Sequence, residues 1–143
     1  MPDFATLRSR MVNNQLRTYD VTDLAVQRAF GVVPRETFVP AAQRPIAYSD
    51  EMIRLAEGGD RAMMAPAVLA KMIQSLSVGE DDVALVVGAG TGYSAAVLAH
   101  LASSVIALEC EAELAERASA AIEDLSITNV AVVTGPLPEG YPS

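Results

Sequence analysis

Two features of this 143-residue sequence combine residue types and spacing that can do chemistry: the run Gly88–Ala89–Gly90–Thr91–Gly92, and the acid Glu109 about twenty residues further on. Gly88 and Gly90 carry no Cβ, so the backbone can turn sharply and a ligand can approach it closely. The run opens a helix, and backbone N–H groups at a helix N-terminus favour an anionic group on the ligand. An acid at the end of the next strand can accept hydrogen bonds from two ribose hydroxyls. A glycine loop alone says little. In the order strand, loop, helix, strand, acid it points to an adenosine-containing ligand. The spacing is Gly-x-Gly-x-Gly, and Tyr93 stands where the dinucleotide pattern needs its third glycine, which argues against a nicotinamide-binding domain. Tyr93 either flanks the ligand or packs. His100, the only histidine, falls late in the helix, where the dipole favours a cation. It makes neither a metal site nor a triad, so no catalytic residue and no metal ligand is assigned. Tyr19 and Tyr48 have no partner that argues for chemistry.

The elements that must position these residues follow from apolar periodicity. Phe4, Leu7, Met11, Val12 and Leu16 predict a helix over 4–16. Thr22 is expected to cap a second helix, through Leu24, Val26 and Phe30, that stops before Pro34. Residues 34–61, rich in Pro, Gly and short apolar groups, read as loops with one or two short strands. Pro66 suits the first turn of a third helix, with Val68, Leu69, Met72, Ile73 and Leu76 as its inner stripe and Gly79 closing it. Val83–Val87, Val105–Leu108 and Val130–Val133 are continuous apolar runs, the signature of strands buried on both faces. Between them lie helices over 93–101 and 111–125, the latter with Leu114, Ala118, Ile122 and Leu125 inward and Glu113, Glu116, Arg117, Glu123 and Asp124 outward. Strand–helix–strand–helix–strand with short connections predicts right-handed crossovers and a parallel sheet. The fold class is α/β, with an N-terminal helical and loop segment over 1–61 and the sheet-forming part over 62–143.

Composition bounds the function. Half the residues (51%) are hydrophobic and the net charge is −8, which suits a packed domain rather than a disordered chain. Residues 1–61 balance eight arginines against eight acids, whereas 62–143 set Lys71 and Arg117 against ten acids. With no basic stripe, nucleic acid is not an expected partner. A membrane span is not expected either: the longest apolar stretch, Val83–Leu108, is broken by Gly88, Gly90, Thr91, Gly92 and His100. The start, Met1–Pro2–Asp3–Phe4, lacks a signal-peptide pattern, and the lone cysteine, Cys110, suits a reducing, cytoplasmic setting.

The glycine spacing resembles motif I of S-adenosylmethionine-dependent methyltransferases. Four blocks narrow the likeness: Met11–Val12–Asn13–Asn14–Gln15–Leu16–Arg17, Val33–Pro34–Arg35–Glu36–Thr37–Phe38–Val39–Pro40, Ala47–Tyr48–Ser49–Asp50, and Gly88 to Leu98. In order and spacing they are similar to protein-L-isoaspartate O-methyltransferases. That resemblance implies a Rossmann-like methyltransferase sheet, here its first three parallel strands. It implies methyl transfer from S-adenosyl-L-methionine to isoaspartyl carboxylates of damaged proteins, a protein-repair reaction. It also implies cofactor contact at Gly88, Ala89, Gly90, Thr91 and Gly92, ribose recognition at Glu109, and Cys110 beside the adenine edge.

The sequence also departs from the family. Where the family has a Thr and a Ser before the equivalent of Pro66, this chain has Ala62 and Met64, so both hydroxyls are gone. Met63 and Met64 therefore read as packing residues, and Arg61 as either a carboxylate partner or a solvated loop arginine. Val86 replaces an acid ahead of the loop, and Gly135–Pro136–Leu137 replaces Gly-Asp-Gly. At about 1.5–3 kcal/mol per charge-assisted bond, these losses predict cofactor binding weaker by about one to several powers of ten. They motivate an alternative reading, a catalytically inactive or re-purposed relative acting as a binding or regulatory module. The chain stops just after its third strand, at Tyr141–Pro142–Ser143, short of the family's length. The expectation is therefore a truncated domain whose strand Val83–Val87 is an apolar edge that invites self-association.

Overall fold

A computed structural model describes residues 3–142. Met1 and Pro2, read above for a leader, and Ser143 lie outside the described residues. The chain forms two compact units, Met1–Ser77 and Val78–Ser143. This division by packing places the third helix with the first unit, whereas the division after residue 61 is one of sequence character.

In the first unit, α1 (Phe4–Met11) is capped by Asp3, whose carboxylate accepts from Thr6 N. The predicted helix continues as a wider π-helical turn, Val12–Leu16, then a short 3₁₀ turn, Arg17–Tyr19, that ends at left-handed Asp20. The wider turn lets Met11 and Leu16, five residues apart, both be buried. Helix α2 (Leu24–Val32) stops before Pro34 as predicted, but its cap is Asp23, which accepts from Ala25 N and Val26 N. Thr22, the expected cap, instead donates its backbone N–H to Gln74 Oε1. Over 34–61 the chain makes 3₁₀ turns at Arg35–Phe38 and Ala41–Ile46, then β1 (Ile53–Arg54), which pairs antiparallel with β2 (Ala62–Met63).

Helix α3 (Pro66–Leu76) begins at Pro66 as expected, yet its buried arc is Pro66, Ala70 and Ile73. Val68, Met72 and Leu76, placed inward by the sequence, are exposed. Ile73 of the expected stripe is buried, together with Ala70, whose methyl side chain lets the helix approach its neighbours closely. The helix ends at Ser77 in the left-handed conformation, not at Gly79, whose N–H instead donates to Asp82 Oδ2 in the next turn.

The second unit is strand–helix–strand–helix–strand: β3 (Val83–Val87), α4 (Tyr93–Ala99), β4 (Ser104–Glu109), α5 (Ala112–Asp124) and β5 (Val130–Thr134). The sheet is parallel in the order β3-β4-β5, with Val83 opposite Ser104 and Val105 opposite Val130. This is the α/β architecture the sequence predicts. Central β4 buries Val105, Ala107, Leu108 and Glu109, and α5 buries Leu114, Ala118 and Ile122. Arg117, expected outward, is half-buried. Burial on both faces fails for β3: Val83, Leu85 and Val87 are 65%, 45% and 54% exposed. The exposed residues share one face of the sheet: Leu85 is in register with half-buried Ile106 and exposed Ala131, so among the described residues of this unit that face has no covering layer. β5, the other edge, is likewise only partly buried.

Among the described residues, no helix is long and apolar enough to cross a membrane.

Candidate functional site

The glycine loop joins β3 to α4, and its geometry explains the glycines. Gly88, Gly90 and Gly92 all have positive φ, +77°, +59° and +97°. At Gly92 the need is also spatial: a Cβ there would lie 3.2 Å from the Ala118 Cβ of α5. The loop thus lets the start of α4 close against α5.

The loop amides are largely used within the protein. Gly88 N and Ala89 N both donate to Leu108 O, at 2.9 and 3.0 Å, and Gly92 N donates to Ala89 O at 3.0 Å. Gly90 N donates to Glu109 Oε1 at 2.7 Å, and Glu111 N to Glu109 Oε2 at 2.8 Å. The expectation that this loop offers its N–H groups to an anion is therefore corrected: four of them already have acceptors, and α4 is only seven residues long. A phosphate-bearing dinucleotide depends on such amides. An adenosyl ligand without phosphates does not.

Glu109 brings together the two motifs picked out in the sequence. It is fully buried at the end of β4, and each oxygen accepts one backbone N–H. A carboxylate presents about four lone-pair sites, the chemistry a ribose diol needs from an acceptor; because the group is buried, a ligand reaches it only with local opening. Ala89 and Thr91 are buried, whereas Cys110, directly after Glu109, is exposed. Tyr93 opens α4 and is buried, and exposed His100 sits at its C-cap. Val86 is half-buried in β3. Gly135 N donates to Glu109 O at 3.1 Å, which sets the Gly135–Pro136–Leu137 segment at the same strand end. No set of three or more His, Cys, Asp or Glu side chains suited to a metal ion occurs among the described residues.

In the first unit, Met63 is buried, as a packing residue would be, while Met64 is exposed. The Met64 carbonyl accepts from Arg35 Nη2 at 2.9 Å, and the Arg61 carbonyl accepts from Leu55 N at 3.0 Å.

Sequence reasoning missed a polar cluster that joins two of the quoted blocks, 33–40 and 47–50, to Arg8 of α1. Tyr48 donates to Glu36 Oε1 and accepts from Arg8 Nε at 2.8 Å and Arg35 N at 2.9 Å. Arg8 Nη2 lies 3.2 Å from Glu36 Oε2, and its guanidinium stacks over the Tyr48 ring. Fully buried Arg35 donates through Nε to Ala47 O. Burial, then the bond to Glu36, pushes the Tyr48 phenol well above its ordinary range. Burial works against the Arg8 charge, but Tyr48 and Glu36 outweigh it and raise its pKa. The available signal was the charged pair Arg35–Glu36 set within an apolar, proline-flanked block.

With this geometry in place, the comparisons are specific. Residues 7–143 match the protein-L-isoaspartate(D-aspartate) O-methyltransferase family. A protein-L-isoaspartate O-methyltransferase of Koribacter versatilis is 39% identical over 137 residues, covering 96% of this chain and 61% of that protein. A solved protein-L-isoaspartate O-methyltransferase superposes with a TM-score of 0.82 at 27% identity, over 94% of this chain and 44% of that one. A Plasmodium falciparum protein of the same description, solved with S-adenosyl-L-homocysteine, shares the fold with a TM-score of 0.67 at 19% identity, over 90% of this chain and 62% of that one. The chain thus spans about three fifths of the length of its Koribacter relative.

Proposed function

The chain belongs to the protein-L-isoaspartate(D-aspartate) O-methyltransferase family, and we propose that it forms the cofactor-holding part of an S-adenosyl-L-methionine-dependent methyltransferase acting on isoaspartyl carboxylates. The observation that carries this reading is the tie between Gly90 N and Glu109 Oε1 at 2.7 Å, in a loop whose amides are mostly consumed internally. That donor set suits a ligand recognised through its ribose rather than through phosphates. Gly88, Ala89, Gly90, Thr91 and Gly92 would line the cofactor, Glu109 would accept from its ribose, and Cys110 would border its adenine. When bound, the cofactor supplies an electrophilic methyl group. A carboxylate acceptor is already nucleophilic, so the protein's task is to align the two and exclude water rather than to transfer protons. This agrees with the assignment of no catalytic acid or base. Isoaspartyl peptides or proteins are the acceptors in this reading, and its setting is cytoplasmic. The direct test is transfer of a labelled methyl group from S-adenosylmethionine to an isoaspartyl peptide, with the aspartyl peptide as control. Equal labelling of both peptides, or of neither, would defeat the proposal.

A second part concerns assembly. In a parallel ladder alternate residues turn their backbone groups to the neighbour. The bonds Gly88 N to Leu108 O and Ser103 N to Asp82 O fix which, so Val83, Leu85 and Val87 turn their N–H and C=O groups outward. Those same residues are exposed, an apolar row at a strand edge of the kind that pairs with another chain. Self-association of this chain through β3 follows, and light scattering after size exclusion reads it.

A further inference from the structure

Helix α5 and the opposite edge strand, β5, enclose a groove of about 410 Å³. Val132 and Thr134 line it from the strand, and Ala115, Glu116, Ser119 and Glu123 line it from the helix. Among the described residues, β5 pairs with β4 alone. Val105 N donates to Asn129 O and Gly135 N donates to Glu109 O, so residues 129, 131, 133 and 135 face β4. Val130, Val132 and Thr134 therefore turn their N–H and C=O groups to the open side. The groove offers a further strand both a backbone to pair with and a channel to lie in.

Its charge selects the occupant. Glu116 and Glu123, both exposed, lie seven residues apart on α5, about 10 Å along the axis. Neither Lys nor Arg lines the groove, and between Val78 and Ser143 Arg117 is the only such residue against ten acids. We propose that the α5–β5 groove is a strand-addition site for an extended segment of another protein that carries Lys or Arg. The segment's main chain pairs with Val130, Val132 and Thr134, and its cations meet Glu116 and Glu123. Same-face side chains of a strand repeat about every 6.8 Å, so flexible lysines on alternate residues span both glutamates. Main-chain pairing supplies most of the affinity, and the acids choose the sequence.

The probe is an acetylated, amidated peptide, Lys-Thr-Lys-Val-Lys-Thr-Lys, titrated into the isotope-labelled full chain and followed by NMR. Saturable shifts and slowed amide exchange at Val130, Val132 and Thr134 are expected. N-methylation of alternate peptide amides, in the register that faces β5, should abolish binding without altering the protein. The double variant Glu116→Gln, Glu123→Gln should weaken binding by about 3–10-fold, and a glutamate-for-lysine peptide should not bind. If both N-methylated registers bind as well as the parent, the contact is mere charge attraction and strand addition is wrong. Protection of Val130–Thr134 that rises with protein concentration in the absence of peptide would assign the groove to a second copy and overturn the proposal equally.

Discussion

Replacing Glu109 with Gln changes the shape of the side chain little but removes its charge and turns one acceptor into a donor. In the native chain both oxygens accept backbone N–H groups, a buried one at 2.7 Å from Gly90 and a part-buried one at 2.8 Å from Glu111. Each is a charge-assisted bond worth about 1.5–3 kcal/mol. Glutamine keeps its oxygen on buried Gly90 N and points its NH₂ at Glu111 N, which leaves that part-buried donor orphaned at a cost of about 1–3 kcal/mol. With the weakening of the surviving bond, the expected loss is about 2–4 kcal/mol. Urea denaturation reads this directly: with an m-value of about 2 kcal/mol per molar, the midpoint should fall by about 1–2 M at unchanged m. Amide exchange localises the effect. Gly90 and Glu111 should lose protection, while Gly88 and Ala89, which donate to Leu108 O, should keep it. A midpoint within about 0.3 M of the wild type, or uniform loss of protection across the loop, would show that Glu109 does not organise the loop.

Three further outcomes follow from the same geometry. Gly92→Ala places a Cβ at φ +97° and 3.2 Å from Ala118; it should cost about 2–4 kcal/mol in urea titration, and an unchanged midpoint would contradict the close packing of α4 on α5. Tyr48 has its pKa raised on folding, by burial first and the Glu36 bond second, so its contribution is intact below the ordinary tyrosine range and is lost as pH rises above about 10. Stability should therefore fall above that pH in the wild type, and the fall should be smaller in Tyr48→Phe; parallel curves would remove Tyr48 as its source. Leu85→Lys puts a charge in the middle of the β3 edge, and light scattering should show association in the wild type and a monomer in the variant, whereas a well-folded monomeric wild type would exclude the β3 interface.

What the sequence revealed and what it hid divide along the range of the interactions. The three strands, the helices between them and the pairing of the glycine loop with Glu109 were legible, because each rests on a run of apolar residues or on the order of neighbouring elements. The details that went astray depend on partners distant in sequence. Thr22 and Asp23 are equally plausible caps until Gln74, about fifty residues on, takes the Thr22 and Asp23 amides. Val68, Met72 and Leu76 satisfy a helical stripe as well as Pro66, Ala70 and Ile73 do, and only the packing of the unit chooses between them. The apolar run of β3 reads as a buried strand, yet among the described residues of this unit one face of the sheet has no covering layer. Tyr48 draws its partners from Arg8, forty residues earlier, and from Arg35 and Glu36. Which loop amides stay available to a ligand was also beyond local pattern, since Leu108 and Glu109 decide it.

Isothermal titration of S-adenosylhomocysteine into the full chain, beside NADH under the same conditions, asks whether loop 88–92 and Glu109 hold S-adenosylmethionine rather than a dinucleotide. The expected result is saturable one-site binding of S-adenosylhomocysteine, weakened at least about tenfold by Glu109→Gln, and no saturable heat with NADH. Saturable binding of NADH with none of S-adenosylhomocysteine would contradict it.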